Sequence, residues 1–481
     1  MKKDIKRIVE DHISQKATLV DDDIVIQNPI ALMSPQRLDL GFKLFYLNYR
    51  VKLSKLSDNL YKKTIEIITN FSFQEFGNDK KNSYPTFIDQ FKQIENSILS
   101  NGFDYHESVI PVSQDNIILD GSHRLCSCIK NNIEVPTIKY ESRTPNYNWV
   151  FFRDRGMGLK QIELGVTEYI NYSNDIYIAF LWPVAKEKVQ VLKDIIGNDK
   201  ILYLKKVKFE TSGALNLIAQ IYHDQKWLGT LETEYNGAIS KLSSTFDSSG
   251  ITHIILFQSD NILKVNSIKD KFRDQVGMGK HSVHINDSKD ELISASQLVL
   301  NENSISFLNN SNILKYKDNF KKIEHFKKVL VENKISFNDI VVGGSLPLSL
   351  YGYLEPSDID FLSTVIDKDL DIKICSHNSY EKFYKKSIDE LVYNPDNYFY
   401  FNGIKFLKLE VLVEFKRNRN EIKDKLFLEN YKSKSSLRLF FYYMLNNLSL
   451  LRYKVLALII KYSKILGIYD FLKFFYKKLF K

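Results

Sequence analysis

Apolar residues recur with two periods along this chain, and the pattern predicts a mixture of strands and helices. Strands are predicted for apolar runs, among them IYIAFLWP, KILYLKKVKF, THIILFQS and HSVHIN. Helices are predicted where apolar residues recur every three to four positions, as in ALNLIAQIYHD, KDELISASQLVLN and KYKDNFKKIEHFKKVLVENKI. Both kinds of segment occur through most of the length, so we predict an α/β (α+β) multidomain protein.

The length and the changes of pattern divide the chain into four predicted units. At about 150 residues per domain, a chain of 481 residues holds about three domains. We predict a first unit over 1–146, a middle α/β domain over 147–310 and a third unit over 311–430. A basic, aromatic-rich segment over 431–481 is predicted to be a helical tail.

The third unit contains the most informative motif of the chain. An apolar run ends in Gly343, Gly344 and Ser345, and a second apolar run carries Asp358 and Asp360. Alternate residues of a strand share a face, so the two carboxylates would point the same way. Mg²⁺ prefers such oxygen ligands and often binds together with substrate phosphates, while glycines let the backbone approach a triphosphate closely.

This motif resembles the signature of the DNA polymerase β-type nucleotidyltransferase superfamily, over roughly residues 319–424. The resemblance implies that Asp358 and Asp360 bind Mg²⁺ and that Gly344 and Ser345 hold the β- and γ-phosphates. It also implies transfer of a nucleoside monophosphate from a nucleoside triphosphate, with release of pyrophosphate. Nucleotide binding is expected at Gly343 as well.

Members of the superfamily add a third carboxylate, and the sequence offers two positions for it. Asp371 heads the next apolar alternation, DLDIKI, and is the first choice. Glu410 is the second, but KLEVLVEFKRNR has helical spacing that would place Glu410 on the surface. By the same resemblance Lys416 would meet the triphosphate, and a solvated helix face is the alternative for this residue.

The first unit ends in a second motif, an apolar run followed by Asp120, Gly121, Ser122, His123 and Arg124. A guanidinium and an imidazole at a helix start favour anion binding, because Arg can bind two phosphate oxygens at once. The alternative is that the aspartate caps the helix and the histidine lies at its boundary.

The segment over about 108–140 resembles the ParB/sulfiredoxin superfamily. The resemblance implies a nucleotide pocket at Asp120, Gly121, His123 and Arg124, and in some members transfer of phosphate. No helix-turn-helix region obviously follows this segment, which argues against a role in chromosome partitioning.

The middle unit carries a cluster of polar residues at Lys280, His281, His284 and Asp287. Two histidines and an acid favour binding of a metal or of a phosphoryl group. In an extended strand, however, the two histidines point to opposite faces, so a polar strand end is the favoured interpretation.

Charge is concentrated in the tail, where Lys and Arg occur eleven times and the only acid is Asp470. The preceding part is close to neutral, since the whole chain has a net charge of +9. A near-neutral body argues against a nucleic-acid partner. The tail is typical of helices that lie on an anionic membrane, and a helical hairpin packed on the body is the alternative.

Together these features predict a cytoplasmic Mg²⁺-dependent nucleotidyltransferase, peripheral to the inner face of the plasma membrane. Three cysteines without a disulfide framework fit a reducing compartment. The acceptor is expected to be a small molecule or glycan precursor in bacterial surface-polysaccharide biosynthesis, with a second ATP-dependent phosphotransfer step in the first unit. The alternatives are a non-catalytic nucleotide sensor, or a toxin- or antitoxin-type transferase that modifies protein or RNA.

Overall fold

The structure, a computed structural model, describes residues 8–10, 13, 15, 17–75, 81–431, 462–463, 466–468 and 471–472. Most of the predicted tail therefore lies outside the described residues, and its helices and membrane contact stay predictions. No helix in the described part of the chain has both the length and the apolar character needed to cross a membrane.

Helices form where the apolar spacing predicts them. The α-helices of the described chain are α1 Asp39–Tyr49, α2 Ser54–Ile68, α3 Tyr84–Asn101, α4 Ser122–Asn131, α5 Trp149–Asp154, α6 Leu159–Tyr172, α7 Val189–Ile196, α8 Thr211–Ile221, α9 Asn236–Thr245, α10 Ile262–Val276, α11 Lys289–Val299, α12 Glu302–Asn310, α13 Asp318–Glu332, α14 Leu346–Leu350, α15 Glu381–Tyr384, α16 Ile388–Tyr393, α17 Leu409–Arg419 and α18, which begins at residue 422 and is described as far as residue 431.

The described strands form three sheets. The strands are β1 Thr18–Leu19, β2 Val25–Gln27, β3 Ile110–Val112, β4 Val135–Glu141, β5 Ile176–Leu181, β6 Ile201–Lys208, β7 Ile251–Gln258, β8 Val283–Ile285, β9 Ile340–Val342, β10 Ile359–Ser363, β11 Ile374–Ser376, β12 Tyr398–Phe401 and β13 Ile404–Leu407. In the first sheet β4 pairs with β1, β2 and β3, while the others have the orders β6-β7-β5-β8 and β11-β10-β9-β13-β12.

Helices and several sheets alternate along the chain, so the predicted mixed α/β class is confirmed. Each of the three predicted units before the tail holds one sheet, although the unit boundaries themselves stay predictions. The four strands predicted in the middle unit are β5, β6, β7 and β8. The apolar run IILD, which ends at Asp120, has the character of a strand but does not form one: only Ile118 makes an isolated bridge, to Val112.

Apolar contacts run between the units rather than stopping at their predicted boundaries. One buried cluster includes residues from Leu32 to Phe427 and draws on all three sheets. Two backbones come close at the crossing of α1 and α6, where a Cβ on Gly41 would lie 2.2 Å from the Gly165 carbonyl oxygen. Glycine at both positions therefore lets the first unit pack directly on the helix that precedes the middle sheet.

Candidate nucleotide and metal site

The third sheet brings the glycine turn and the acidic strand together. Strand β9 pairs antiparallel with β10, with Val342 opposite Phe361. The chain leaves β9 at Gly343, whose N–H donates a hydrogen bond to the Asp360 carbonyl at 2.8 Å. The Gly-Gly-Ser turn consequently lies at the end of the sheet where β10 begins, beside Asp358 just before the strand and Asp360 within it.

Gly344 is in direct contact with the Asp360 side chain. Its φ is +60°, and a Cβ built there would lie 1.8 Å from Asp360 Oδ2. A side chain at this position would both strain the backbone and collide with the carboxylate. Helix α14, which follows Ser345, has only five residues and carries Pro347 in its first turn. Backbone contacts to phosphate are therefore expected at the turn itself rather than along this helix.

The two acids are both partly buried. Asp358 directly precedes β10, and Asp360, within the strand, keeps 18% of its side chain accessible. Burial, and then the charge of Asp358, raises the pKa of Asp360 to about 6, although Arg419, Lys423 and Lys416 act in the opposite direction. A divalent cation between the two carboxylates would relieve this repulsion, because it supplies the opposite charge at the same place.

Basic residues of α17 lie close enough to the acids to affect their ionisation. Lys416 is buried and its Nζ donates to Asp424 Oδ1 at 2.9 Å. Arg419 also binds Asp424, through Nε and Nη2, at 2.8 Å each. Asp424 thus fixes both cations, and Lys416 does not lie on a solvated helix face. Glu421 Oε1 also lies 3.4 Å from Arg419 Nε, so two carboxylates face these two cations.

Two residues that were not predicted from the sequence, Cys375 and His377, also lie at this site. Strand β11 runs parallel to β10, with Cys375 beside Asp360, and His377 follows two positions later. The His377 Nε2 lies 3.8 Å from Asp360 Oδ1, and its Nδ1 lies 3.1 Å from the Tyr384 hydroxyl. Burial, and then the charge of Arg419, lowers the pKa of His377 to about 4, so its ring is neutral at pH 7.

The sequence signal that could have identified Cys375 and His377 is their spacing of two residues along β11 and its extension. Residues two apart on a strand share a face, so Cys375 and His377 follow the face of Asp360 once the pairing with β10 is known. The sequence alone does not show that β11 pairs with β10 or in which register, so it does not place these two residues beside Asp360.

Asp371 and Glu410 are not brought to the acidic pair. Asp371 precedes β11, is exposed, and bonds His325 at 3.2 Å. Glu410 is exposed in the first turn of α17, as its helical spacing predicts. Among the described residues, the metal-binding side-chain types converge in a group of three only at exposed aspartates, namely Asp21, Asp22 and Asp23. No third carboxylate therefore closes the site in the described chain.

The motif of the first unit is only partly assembled. Gly121 is the N-cap of α4 with φ +84°, and Arg124 lies 3.3 Å from Asp120. His123 instead turns into the core, where its Nε2 lies 2.8 Å from the Tyr61 hydroxyl. Burial, and then the charge of Lys81, lowers the pKa of His123 well below its usual value. Asp120 and Arg124 are left partly exposed together, and His123 is not available beside them.

The polar cluster of the middle unit is split between separate partners. Lys280 and His281 lie in an exposed turn, while His284 lies on β8 with its Nε2 2.8 Å from Glu291. Asp287 pairs with Lys269. All four predicted residues line a cleft of about 2130 Å³. The four side chains line one cleft but do not converge on a point where a single ligand could bind. This agrees with the interpretation of the segment as a polar strand end.

The cleft of the middle unit lies at one end of the third sheet, and the acidic pair lies at the other end. Its wall includes Phe337 and Gly403, which precede β9 and β13. These two strands are parallel, and both lead from that end of the sheet toward the glycine turn. The cluster therefore does not add side chains to the site at Asp358 and Asp360.

Comparison of the chain with protein-family models, with curated proteins and with solved structures finds no match. The functional argument is therefore carried by the side chains and their geometry.

Proposed function

We propose that the third unit is a Mg²⁺-dependent nucleotidyltransferase that moves a nucleoside monophosphate from a nucleoside triphosphate to a small-molecule or glycan-precursor acceptor. The observation that carries the proposal is the contact between Gly344 and the Asp360 carboxylate. It joins a backbone turn able to approach phosphates to a pair of acids able to hold a cation. Chains of the polymerase β type combine these two features in the same way.

The donor set suits a hard divalent cation. Asp358 and Asp360 supply carboxylate oxygens, the ligands that Mg²⁺ prefers, and Mg²⁺ usually completes its shell with water and substrate phosphates. Burial and the charge of Asp358 raise the pKa of Asp360 even though Arg419, Lys423 and Lys416 lower it, so a bound cation would relieve the repulsion between the two acids. When bound, the ion would neutralise charge on the triphosphate during transfer.

The protein's own residues would bind and orient the substrates. The backbone at Gly344 and Ser345 would contact the β- and γ-phosphates, and Arg419 would supply positive charge across from them. A hydroxyl or phosphate oxygen of the acceptor forms the new bond to the α-phosphorus. The bond from that phosphorus to the β-phosphate oxygen breaks, pyrophosphate leaves with the electron pair, and any hydroxyl proton passes to solvent.

A second step in the first unit forms part of the same proposal. Asp120 and Arg124 lie together at the start of α4, where a guanidinium can bind phosphate oxygens. Phosphorylation of a metabolite there, followed by nucleotidyl transfer, would give an activated compound for bacterial surface-polysaccharide biosynthesis. The ParB/sulfiredoxin-like and nucleotidyltransferase assignments of the two units support this sequence of reactions.

The experiment that tests the proposal follows the label of a nucleoside triphosphate into product. Protein, MgCl₂ and an extract of small metabolites are incubated in parallel with α-³²P- and γ-³²P-labelled triphosphates. Nucleotidyl transfer puts only the α-label into acceptor, and Asp360→Asn should abolish it while Glu410→Gln keeps it. Persistence of α-label transfer in Asp360→Asn would contradict the site.

A nucleotide-sensing role is the second candidate function. It is favoured by the lack of a third converging carboxylate in the described chain, because two-metal catalysis uses more ligands than one pair of acids. Saturable binding of a triphosphate with Mg²⁺, without pyrophosphate release under any acceptor condition, would support the sensor.

A further inference from the structure

A cavity of about 600 Å³ lies where all three predicted units meet. Its walls come from α1, α6, α11, α12 and the third sheet. The sheet contributes residues from the end opposite the glycine turn, including Asn338 just before β9 and Gly403 just before β13. The cavity is therefore separate from the proposed transfer site.

Glu168 is a buried carboxylate in this wall. It is 4% exposed and accepts hydrogen bonds from Asn48 at 2.5 Å and Asn171 at 3.5 Å. It forms no ion pair with any residue that the structure describes. Most buried carboxylates are paired with a cation, because desolvation of an unpaired charge is unfavourable. A carboxylate that lines a cavity without such a partner leaves a place for a positively charged ligand.

Three tyrosines line the cavity together with this carboxylate. They are Tyr49 of α1 and Tyr398 and Tyr400 of β12. Burial, and with it the charge of Glu168, raises the pKa of each of these phenols. They are therefore neutral at physiological pH. The faces of such rings attract cations, most strongly when the cation is desolvated.

A further buried group in the wall lacks a partner. The Ser296 Oγ is buried and has no hydrogen-bond partner among the described residues. Most buried hydroxyls have a hydrogen-bond partner, so this one is an exception within the wall.

The charges around the cavity disfavour an anion. Lys405 donates hydrogen bonds to the carbonyls of Asn338 and Val392, at 2.7 and 2.5 Å. The other lysine in the wall, Lys160, pairs with Asp396. The remaining charged residues in the wall are acids: Glu163, Glu168 and Glu302. Glu163 and Glu302 share Lys205 as their partner and Lys160 pairs with Asp396, so Glu168 is the acid in the described wall without a cation of its own.

From this arrangement we propose that the cavity binds a small organic cation, a substituted ammonium ion, with Glu168 as its counter-charge. Tyr49, Tyr398 and Tyr400 form the aromatic wall around the ammonium group. This site is independent of nucleotidyl transfer and joins the three units around one molecule.

Binding should strengthen as pH rises through neutrality. Burial raises the pKa of Glu168 to about 7, against the hydrogen bonds from Asn48 and Asn171. Between pH 6 and pH 8 the ionised fraction grows about tenfold, and the association constant should follow it. The other groups facing Glu168 are phenols, Tyr172 included. Lys405 shares the cavity, and burial lowers its pKa to about 7, so its titration acts in the same direction.

The test is calorimetric titration of the full chain with tetramethylammonium chloride, in the absence of nucleotide. The neutral probe tert-butanol and equimolar sodium chloride serve as comparisons. Tetramethylammonium should bind, and Glu168→Gln should weaken it at least tenfold and remove most of the pH dependence. The matched control is Glu302→Gln, which lines the same cavity but is exposed and paired with Lys205; it should bind like the unaltered chain.

No binding of tetramethylammonium, equal binding of tert-butanol, or unchanged affinity in Glu168→Gln would each overturn the proposal. Tyr400→Leu provides a second variant if Glu168→Gln fails to fold, as judged by circular dichroism, and it should also weaken binding. Asp360→Asn must bind tetramethylammonium normally, which separates failure of this proposal from failure of the nucleotidyltransferase proposal.

Discussion

At the scale of single residues, the contact of Gly344 with Asp360 gives the site its shape. The glycine has a positive φ, and its missing Cβ is the space that Asp360 Oδ2 occupies. The motif letters suffice to predict that these residues lie together, because a turn and an adjacent strand are local in sequence. They do not reveal the contact itself, which depends on the register of β9 against β10.

Gly344→Ala should destabilise the protein by about 3 kcal/mol or more and abolish triphosphate binding. About 1 kcal/mol comes from the backbone conformation and the rest from the collision with Asp360. Gly403→Ala is the matched control, since Gly403 has φ +76° with no atom within 4 Å of a built Cβ. Urea denaturation measures the free energy of unfolding of both variants. An equal loss of stability in the two would contradict the close contact at Gly344.

Asp360→Asn should stabilise the protein at pH 8 in the absence of divalent cations. The pKa of Asp360 is raised from 3.8 to about 6, so ionising this group costs the folded state up to about 3 kcal/mol above pH 6. The folded state binds the proton more tightly, so this cost disappears as pH falls through 6 toward 4. Urea denaturation should show a gain at pH 8 and none near pH 3, whereas destabilisation at pH 8 would contradict the raised pKa.

His377 should matter more than Asp371 for metal use, although Asp371 is the residue that the sequence favours. The His377 Nε2 lies 3.8 Å from the Asp360 carboxylate, within reach of a small movement, while Asp371 bonds His325. We expect His377→Ala to raise the Mg²⁺ concentration for half-maximal transfer by about tenfold. Asp371→Asn should leave this Mg²⁺ concentration unchanged. If Asp371→Asn raised it more than His377→Ala does, Asp371 would be the third metal ligand after all.

At the scale of elements, helices α17 and α18 hold the basic side of the site. The apolar spacing of KLEVLVEFKRNR predicts α17 correctly. The burial of Lys416 could not be predicted from that spacing, because it depends on the chain turning back after Arg419 and placing Asp424 beside it. Sequence patterns describe the faces of one helix but not which partner will cover them.

Asp424→Asn should destabilise the protein by about 3–5 kcal/mol, because it leaves Lys416 and Arg419 without their buried partner. Burial opposes ionisation of Asp424, but hydrogen bonds from Arg419 and Lys416 outweigh it and lower its pKa. The pair's stabilisation is therefore lost only as pH falls through that lowered pKa. Glu421→Gln, an exposed partner of Arg419, should cost less than about 1 kcal/mol in the same urea experiment.

At the scale of the whole molecule, the sequence predicts one sheet in each unit but not how the units join. The shared core and the crossing at Gly41 and Gly165 depend on contacts between residues far apart in sequence. The same limit applies to the cavity at Glu168, whose walls come from every unit before the tail. Local motifs therefore indicate the chemistry of the third unit, and only the packing reveals the second site.

The central claim is that Asp358 and Asp360, rather than any other acidic group, hold the divalent cation of a bound nucleotide. The most direct test is anomalous diffraction from crystals soaked with Mn²⁺ and a non-hydrolysable triphosphate. We expect an anomalous peak at coordination distance from both carboxylates, with the phosphates against Gly344 and Ser345. A peak only at Asp21, Asp22 and Asp23, or no peak at the two acids of β10, would contradict the account.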